Sequence, residues 1–262
     1  VAGGKPYGIG LRLSAQAAQE LNTPCMIAEF QEWLEANNCY VFTINGFPYG
    51  AFHGTRVKEQ VFKPDWTTQA RLDYTNLLFD ILAKLLPKGM AGSVSTLPGS
   101  HKTFGLGSDD ILKIFGNLRA CRQHIERVSE ATGHDLHLGM EPEPLGLFET
   151  SGETLKFFGL YMDENPDDHD FLRFVGMNYD TCHLAIEFEE ATEALNRITG
   201  AGILGVALGL GAQAFVRDIV AGFFILFENL FLVGDFIECA GVRGHVEEIG
   251  VRMSKIRDSS GI

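Results

Sequence analysis

The sequence predicts an α/β fold, an incomplete βα barrel, followed by a transmembrane-type apolar helix and a partial small β-barrel. Three observations carry this expectation. Up to about Asn196, short apolar runs alternate with longer amphipathic ones, as in βα units around a parallel sheet. Residues 198–216 then form nineteen consecutive positions without a charge, bounded by Arg197 and Arg217. Beyond them, short β-like runs are separated by Gly-containing turns.

In chain order, strands are expected at "YGIGLRL" (7–13), "YVFTIN" (40–45), "GSVST" (92–96), "LHLGME" (136–141) and "VGMNYD" (175–180). Helices are expected at "SAQAAQELN", "CMIAEFQEWLEANN", "QARLDYTNLLFDILAKLLP" and "DDILKIFGNLRACRQHIERVSEATG", where apolar residues recur at spacings of three and four. The last of these begins behind Ser108, with acidic residues in its first turn where the helix dipole favours them. Five such repeats are too few for a closed eight-stranded barrel, which takes roughly 250 residues. The N-terminus, "VAGGKPYGIGLRLS", lacks an initiator Met and a secretory pattern, and reads as the cut end of a longer chain.

The charge-free stretch is just long enough for a spanning helix, which needs about 20 apolar residues. Its small residues, Gly202, Gly205, Gly209 and Ala212 with the neighbouring Ala201, Gly211 and Ala214, recur every three or four positions, a face that lets helix backbones approach closely. The alternative is a Gly-rich buried strand and turn. A second apolar run, "IVAGFFILFENLF", follows, and then "VGDFIE" and "GHVEEIGVR". Arg243, Arg252, Lys255 and Arg257 all lie C-terminal to the apolar stretch, which would put that side in the cytoplasm. The divisions expected are 1–198, 199–228 and 229–262.

Composition narrows function. The chain of 262 residues carries 21 Lys and Arg against 34 Asp and Glu, a net charge of −13. Without a basic footprint, nucleic-acid binding is disfavoured, whereas an acidic cleft holding a metal suits this balance. Its five cysteines lack a CxxC pair, which argues for reduced thiols and a cytoplasmic barrel domain.

Candidate chemistry clusters at predicted strand ends, the edge on which βα barrels build active sites. "LHLGMEPEPLGLFET" places Glu141 there, with Glu143 between two turn-stiffening prolines. "NYDTCHLA" places Asp180 at the end of the next strand and His183 three residues later. Glu141, Asp180 and His183 offer oxygen and nitrogen donors suited to a divalent metal, Mg, Mn, Fe or Zn. Taken alone, a strand-end Asp equally well caps the next helix. His183, Glu143 and His53 are the acid–base candidates. "TINGFPYGAFHG" supplies Asn45, Phe47 and Tyr49 as a pocket wall for a small polar metabolite, or as an ordinary βα turn. Lys58, Asp65 and Trp66 form either a lid, with Trp66 a substrate contact, or a helix cap. Cys182 is either a nucleophile or a small buried thiol.

The motifs "GIGLRLSAQAAQEL", "YVFTINGFPYGAFHGTRVKEQVFKPDW", "GSVSTLPGS", "MEPEPLGLFET" and "NYDTCHLAIEFE" together resemble the EboE metabolite-traffic family, a xylose isomerase-like TIM-barrel family, over residues 5 to about 197. That resemblance implies Glu141 and Asp180 as metal ligands, with His183 a ligand or substrate contact. It implies a metal-dependent isomerase, epimerase or hydrolase, or an inactive metabolite carrier, and a barrel lacking its first strand and last two. Residues 200–262, with "GAQ", "GFFILFEN", "VGDFIE", "GVRGHVEEIGVR" and "IRD", resemble the small-conductance mechanosensitive channel family MscS. That implies a pore-lining helix in the inner membrane, packed through Gly202, Gly205, Ala207, Gly209 and Ala214 in a homo-oligomer. The step Ala201-Gly202-Ile203 falls inside an element of both families. A chimera is therefore expected there in preference to a natural or designed fusion, which usually joins at an exposed linker.

Overall fold

The computed structural model describes residues 5–50, 59–201, 231–239, 242–249 and 254–258. The chain divides into two units, Val1–Gly209 and Leu210–Ile262.

The first unit is built on a five-stranded sheet: β1 (Tyr7–Arg12), β2 (Cys39–Asn45), β3 (Gly92–Thr96), β4 (Leu136–Met140) and β5 (Val175–Met177). The strands lie in chain order, each parallel to the next, so β1 and β5 are its edges. Parallel neighbours need crossovers. These are α1 (Ala15–Leu21) and α2 (Pro24–Ala36), then α3 (Gln69–Leu85), α4 (Ser108–Thr132), and the pair α5 (Ser151–Glu164) and α6 (Phe171–Phe174). After β5 come α7 (Thr181–Ile186) and α8 (Ala191–Gly200).

Caps and periodicity account for the helices. The Ser14 hydroxyl accepts from the Ala17 amide at 3.2 Å and starts α1. Thr23 followed by Pro24 starts α2, because proline suits the first helical turn, where its missing N–H is not needed. Helix α3 buries Leu72, Leu78, Phe79, Ile81, Leu82 and Leu85. Helix α4 buries Ile114, Phe115, Leu118, Cys121 and Ile125. Each such Leu, Ile or Phe contributes roughly 1.5–3 kcal/mol when fully buried. Gly133, with φ of +73°, ends α4 in the left-handed conformation that glycine adopts without a Cβ penalty.

Three of the boundaries that depart from expectation bear on helix capping and on the strand ends. Ser108 is the first residue of α4 rather than its cap; Gly107 holds the cap position and donates its N–H to the Asp110 carboxylate at 3.2 Å. Strand β5 stops at Met177, because Asn178 and Asp180 turn to serve Glu141 and the start of α7. β4 stops at Met140, although the Glu141 N–H still reaches the Thr96 carbonyl at 2.9 Å.

The second unit contains an antiparallel sheet of β6 (Phe236–Cys239), β7 (Val242–Ile249) and β8 (Ser254–Asp258) in that order. Cross-strand ion pairs join Arg243 to Glu238 (2.8 Å), Lys255 to Glu248 (2.5 Å) and Arg257 to Glu247 (2.7 Å). All six side chains are exposed, so these pairs contribute little. Among the described residues no helix is long and apolar enough to cross a membrane. The pore-helix positions Gly202, Gly205, Ala207, Gly209 and Ala214 lie outside the described residues, as do Lys58, His53 and Arg252.

Candidate metal centre

Alternation along β4 sends Leu136, Leu138 and Met140 into the helix-covered core, and the next residue, Glu141, to the opposite face. The Glu141 carboxylate is buried at 8% exposure and held by a hydrogen bond from Asn178 Nδ2 to Oε2 at 2.8 Å. Asn178 follows β5, and its own N–H donates to the Met140 carbonyl at 2.8 Å, so the two strand ends are locked together. Helix α7 begins three residues later, at Thr181. Its first turn carries His183 back over β4, where Nδ1 lies 3.0 Å from Glu143 Oε2, 3.4 Å from Glu141 Oε1 and 3.2 Å from the Pro142 carbonyl oxygen. A carbonyl oxygen only accepts, so Nδ1 carries the proton in this arrangement.

Glu141, Glu143 and His183 each offer a ligand atom, and these lie within 4.8 Å of one another. Their electrostatics are those of a site short of positive charge. Burial, with Asp180 and Glu143 adding to it, pushes the Glu141 carboxyl up to about 7 against the opposing pull of His183 and Asn178. His183 moves the other way from what burial alone would do. Desolvation lowers it, but the hydrogen bond to Glu143 and the charges of Asp180, Glu143 and Glu141 outweigh this and raise it to about 9. Two carboxylates and an imidazole form a donor set that divalent Mn, Fe or Zn accepts. The cation would supply the charge that burial makes costly here, so these residues fit a metal.

The other expected site residues separate. Asp180 caps α7, its Oδ1 accepting from the Cys182 N–H at 2.7 Å, while its charge acts on both Glu141 and His183. The Cys182 thiol is raised by burial and then by Asp180, which disfavours the thiolate a nucleophile needs. Asn45 ends β2 exposed, its side-chain oxygen accepting from the Phe47 N–H at 3.0 Å. Phe47 is buried edge-on against Phe62, and Tyr49 is half-buried edge-on against Tyr74, ring centroids 5.2 and 5.1 Å apart. Gly46 is required at this turn, since a Cβ would meet the Ser95 carbonyl oxygen at 2.9 Å and Leu78 at 2.7 Å. Trp66 is a correction. Expected at a lid, helix cap or substrate contact, it is 0% exposed, with its indole N–H spent on Thr96 Oγ1 at 3.1 Å. An indole is large enough that burying it outweighs any use at the surface. Asp65 is likewise buried, accepting from Thr67 and Ser100.

Two polar residues at this edge were not among the sequence candidates. Asn178 shares the strand parity that would have marked it, two positions before Asp180. His101 is buried between Phe62 and Phe104, with ring centroids 4.8 and 5.3 Å away. Its Nδ1 accepts from the Thr103 N–H at 3.3 Å, which places the proton of the neutral ring on Nε2.

Comparison with known proteins gives a family match, channel relatives and similar solved structures. Residues 214–262 match the family described as "Mechanosensitive ion channel, beta-domain". Over 60 residues the chain is 53% identical to the small-conductance mechanosensitive channel of Caldanaerobacter subterraneus subsp. tengcongensis, covering 23% of this chain and 21% of that protein. The chain thus spans about a fifth of the length of that relative. Among solved structures, L-ribulose 3-epimerase is similar at a TM-score of 0.47 and 13% identity, over 75% of this chain and 67% of that one. The xylose isomerase domain protein from Planctomyces limnophilus is similar at 0.46 and 14%, over 75% and 71%. The chain thus joins an α/β parallel-sheet unit to a C-terminal segment that matches the mechanosensitive-channel β-domain.

Proposed function

We propose that the first unit is a divalent-metal site of the EboE kind, serving isomerase, epimerase or hydrolase chemistry on a small polar metabolite. The observation that carries this is the convergence of Glu141, Glu143 and His183 at the C-terminal ends of β4 and β5. These three residues would hold the metal, which when bound polarises a carbonyl or activates water. The protein's own part is proton handling and orientation. In the metal-free chain His183 Nδ1–H and Glu143 Oε2 lie 3.0 Å apart, and the proton they share would leave when these residues take up a metal. Asn178 fixes the rotamer of Glu141, and Asp180 adds negative charge that favours a positive charge at this site, carried by protonated His183 in the metal-free chain and by the cation when bound. Asn45 supplies an exposed amide at the end of β2, two strands from β4 along the same sheet edge. Mn²⁺ or Zn²⁺ titration by calorimetry tests the reading: one site per chain is expected, abolished in Glu141→Gln. No binding to the wild-type chain at millimolar metal would remove it.

A second reading belongs to the C-terminal segment, favoured by its match to the channel β-domain. Residues 199–228 would insert in the inner membrane and pack as a homo-oligomer, with 229–262 on the cytoplasmic side and residues 1–198 as the barrel domain. Membrane fractionation tests this. Recovery of the full chain in the soluble fraction, and as a lipid-free monomer in a sedimentation run, would sink it.

A further inference from the structure

Arg71, in the first turn of α3, is fully buried, yet no carboxylate lies within ion-pair distance of it among the described residues. The nearest acid with a pull on it is Asp65, whose oxygens are taken by Thr67 and Ser100. Its guanidinium is held instead by carbonyl dipoles and aromatic faces. Nε donates to the Pro64 carbonyl at 2.7 Å and Nη1 to the Gly46 carbonyl at 2.8 Å. The ring centroids of Tyr74 and Tyr49 lie 5.5 and 6.0 Å from the guanidinium carbon, and Nη2 has no hydrogen-bond partner. Burial lowers the group to about 10, so the cation persists at neutral pH.

A buried cation without a counter-charge is expensive, and a packing role alone would be filled better by Met or Leu. What the planar fork adds is a fixed angle between two acceptors. Here those acceptors belong to different segments: the turn leaving β2, which carries Asn45 and Tyr49, and the Lys63–Asp65 approach to α3. One turn further along α3, the Tyr74 hydroxyl donates at 2.5 Å to the Leu13 carbonyl beyond β1 and lies 3.1 Å from the Pro48 carbonyl. The first two turns of α3 thus gather the chain beyond β1, the turn leaving β2 and the approach to α3 itself.

We propose that Arg71 is the positioning residue of this wall: its two-armed hydrogen bonding sets where Asn45 and Tyr49 stand at the strand-end edge that also carries Glu141. This rests on the proposed function only in assigning a ligand to that edge; the clamp itself is independent of any metal.

Amide hydrogen exchange of the full chain tests it, using Arg71→Met and Arg71→Lys. The reporters are the Ala15, Gly46 and Trp66 amides, bonded at 2.9 Å to Tyr49, Ser95 and Gly99. The controls are the Glu141 and Asn178 amides, bonded to Thr96 and Met140. Arg71→Met is expected to speed exchange at the reporters about tenfold while leaving the controls unchanged, the pattern of a local opening. Lys carries the charge without the fork, so Arg71→Lys is expected to restore protection at Gly46 or at Trp66 but not at both. Acceleration of reporters and controls alike would reduce Arg71 to a general stabiliser. Arg71→Lys indistinguishable from wild type would show that charge suffices, and either result overturns the proposal. Mn²⁺ titration of the same samples keeps the two ideas apart: absence of metal binding in the wild type removes the metal reading, while the exchange pattern still decides Arg71.

Discussion

Replacing Glu141 with Gln keeps shape and hydrogen-bonding capacity and removes one buried charge. In the metal-free chain the carboxyl is raised from its usual 4.5 to about 7, chiefly by burial, so the native state holds the proton more tightly than the unfolded chain. Stability from this group is therefore fullest below pH 4.5 and is lost as pH rises through 7. Integrated between pH 5 and pH 8, a raised carboxyl of this kind destabilises the native state by about 2–3 kcal/mol. Glutamine does not titrate, so the Gln variant escapes that loss. His183 is also raised, and its contribution fades as pH rises from 6.5 through about 9. It keeps Glu143 and Asp180 as partners in the variant, so its titration persists with a smaller shift. The assay is urea unfolding of EDTA-treated full-length chain at pH 5 and pH 8, wild type against Glu141→Gln. The variant should gain about 2–3 kcal/mol on wild type between the two pH values. A constant difference, or a relative loss at pH 8, would refute the view of Glu141 as a carboxyl whose burial outweighs the pull of His183.

Metal should reverse that penalty. At a concentration of 100 times Kd, Mn²⁺ or Zn²⁺ should stabilise the wild-type chain by about 2.7 kcal/mol and leave His183→Ala unmoved, as read by thermal unfolding. Asn178→Leu should weaken metal binding about 10- to 100-fold by freeing the Glu141 rotamer, with Asn178→Gln restoring part of it; calorimetry reads both. Trp66→Ala should cost about 3–5 kcal/mol by urea unfolding while leaving metal affinity intact, as befits a core residue. Gly46→Ala should cost about 1–3 kcal/mol, since neither the Ser95 backbone nor Leu78 can yield without moving β3 or α3.

The strands and first four helices of the parallel unit were legible in the sequence because each carries a local pattern, whereas α5 to α8 were not among the expected helices. Strands β1 to β4 fall within one residue of the expected runs at either end, and α1 to α4 follow spacings of three and four broken by Thr23-Pro24, Thr68 and Gly133. Strand ends were legible for the same reason, so Glu141, Asp180 and His183 stood out as metal candidates and Glu143 as an acid–base candidate; the structure sets Glu143, rather than Asp180, within ligand reach of the other two. The channel-like segment was legible through motif order over residues 200–262, and the β-domain match over 214–262 agrees with it.

What the tertiary structure decided is how side chains divide the work once strand ends are brought together. Asp180 and His183 sit in one short motif, yet the first is occupied with a helix N-terminus while the second reaches Glu143 across a strand boundary. Trp66 and Asp65 look like lid residues until burial claims them. Asn178 opens a quoted motif without standing out in it, and Arg71 carries no motif; their roles exist only through the Glu141 carboxylate and through two carbonyls contributed by separate segments. Periodicity along the chain sets which face a residue occupies, because backbone geometry is local. Partnership depends on residues tens of positions apart meeting at hydrogen-bond distance, and only the packed sheet determines that.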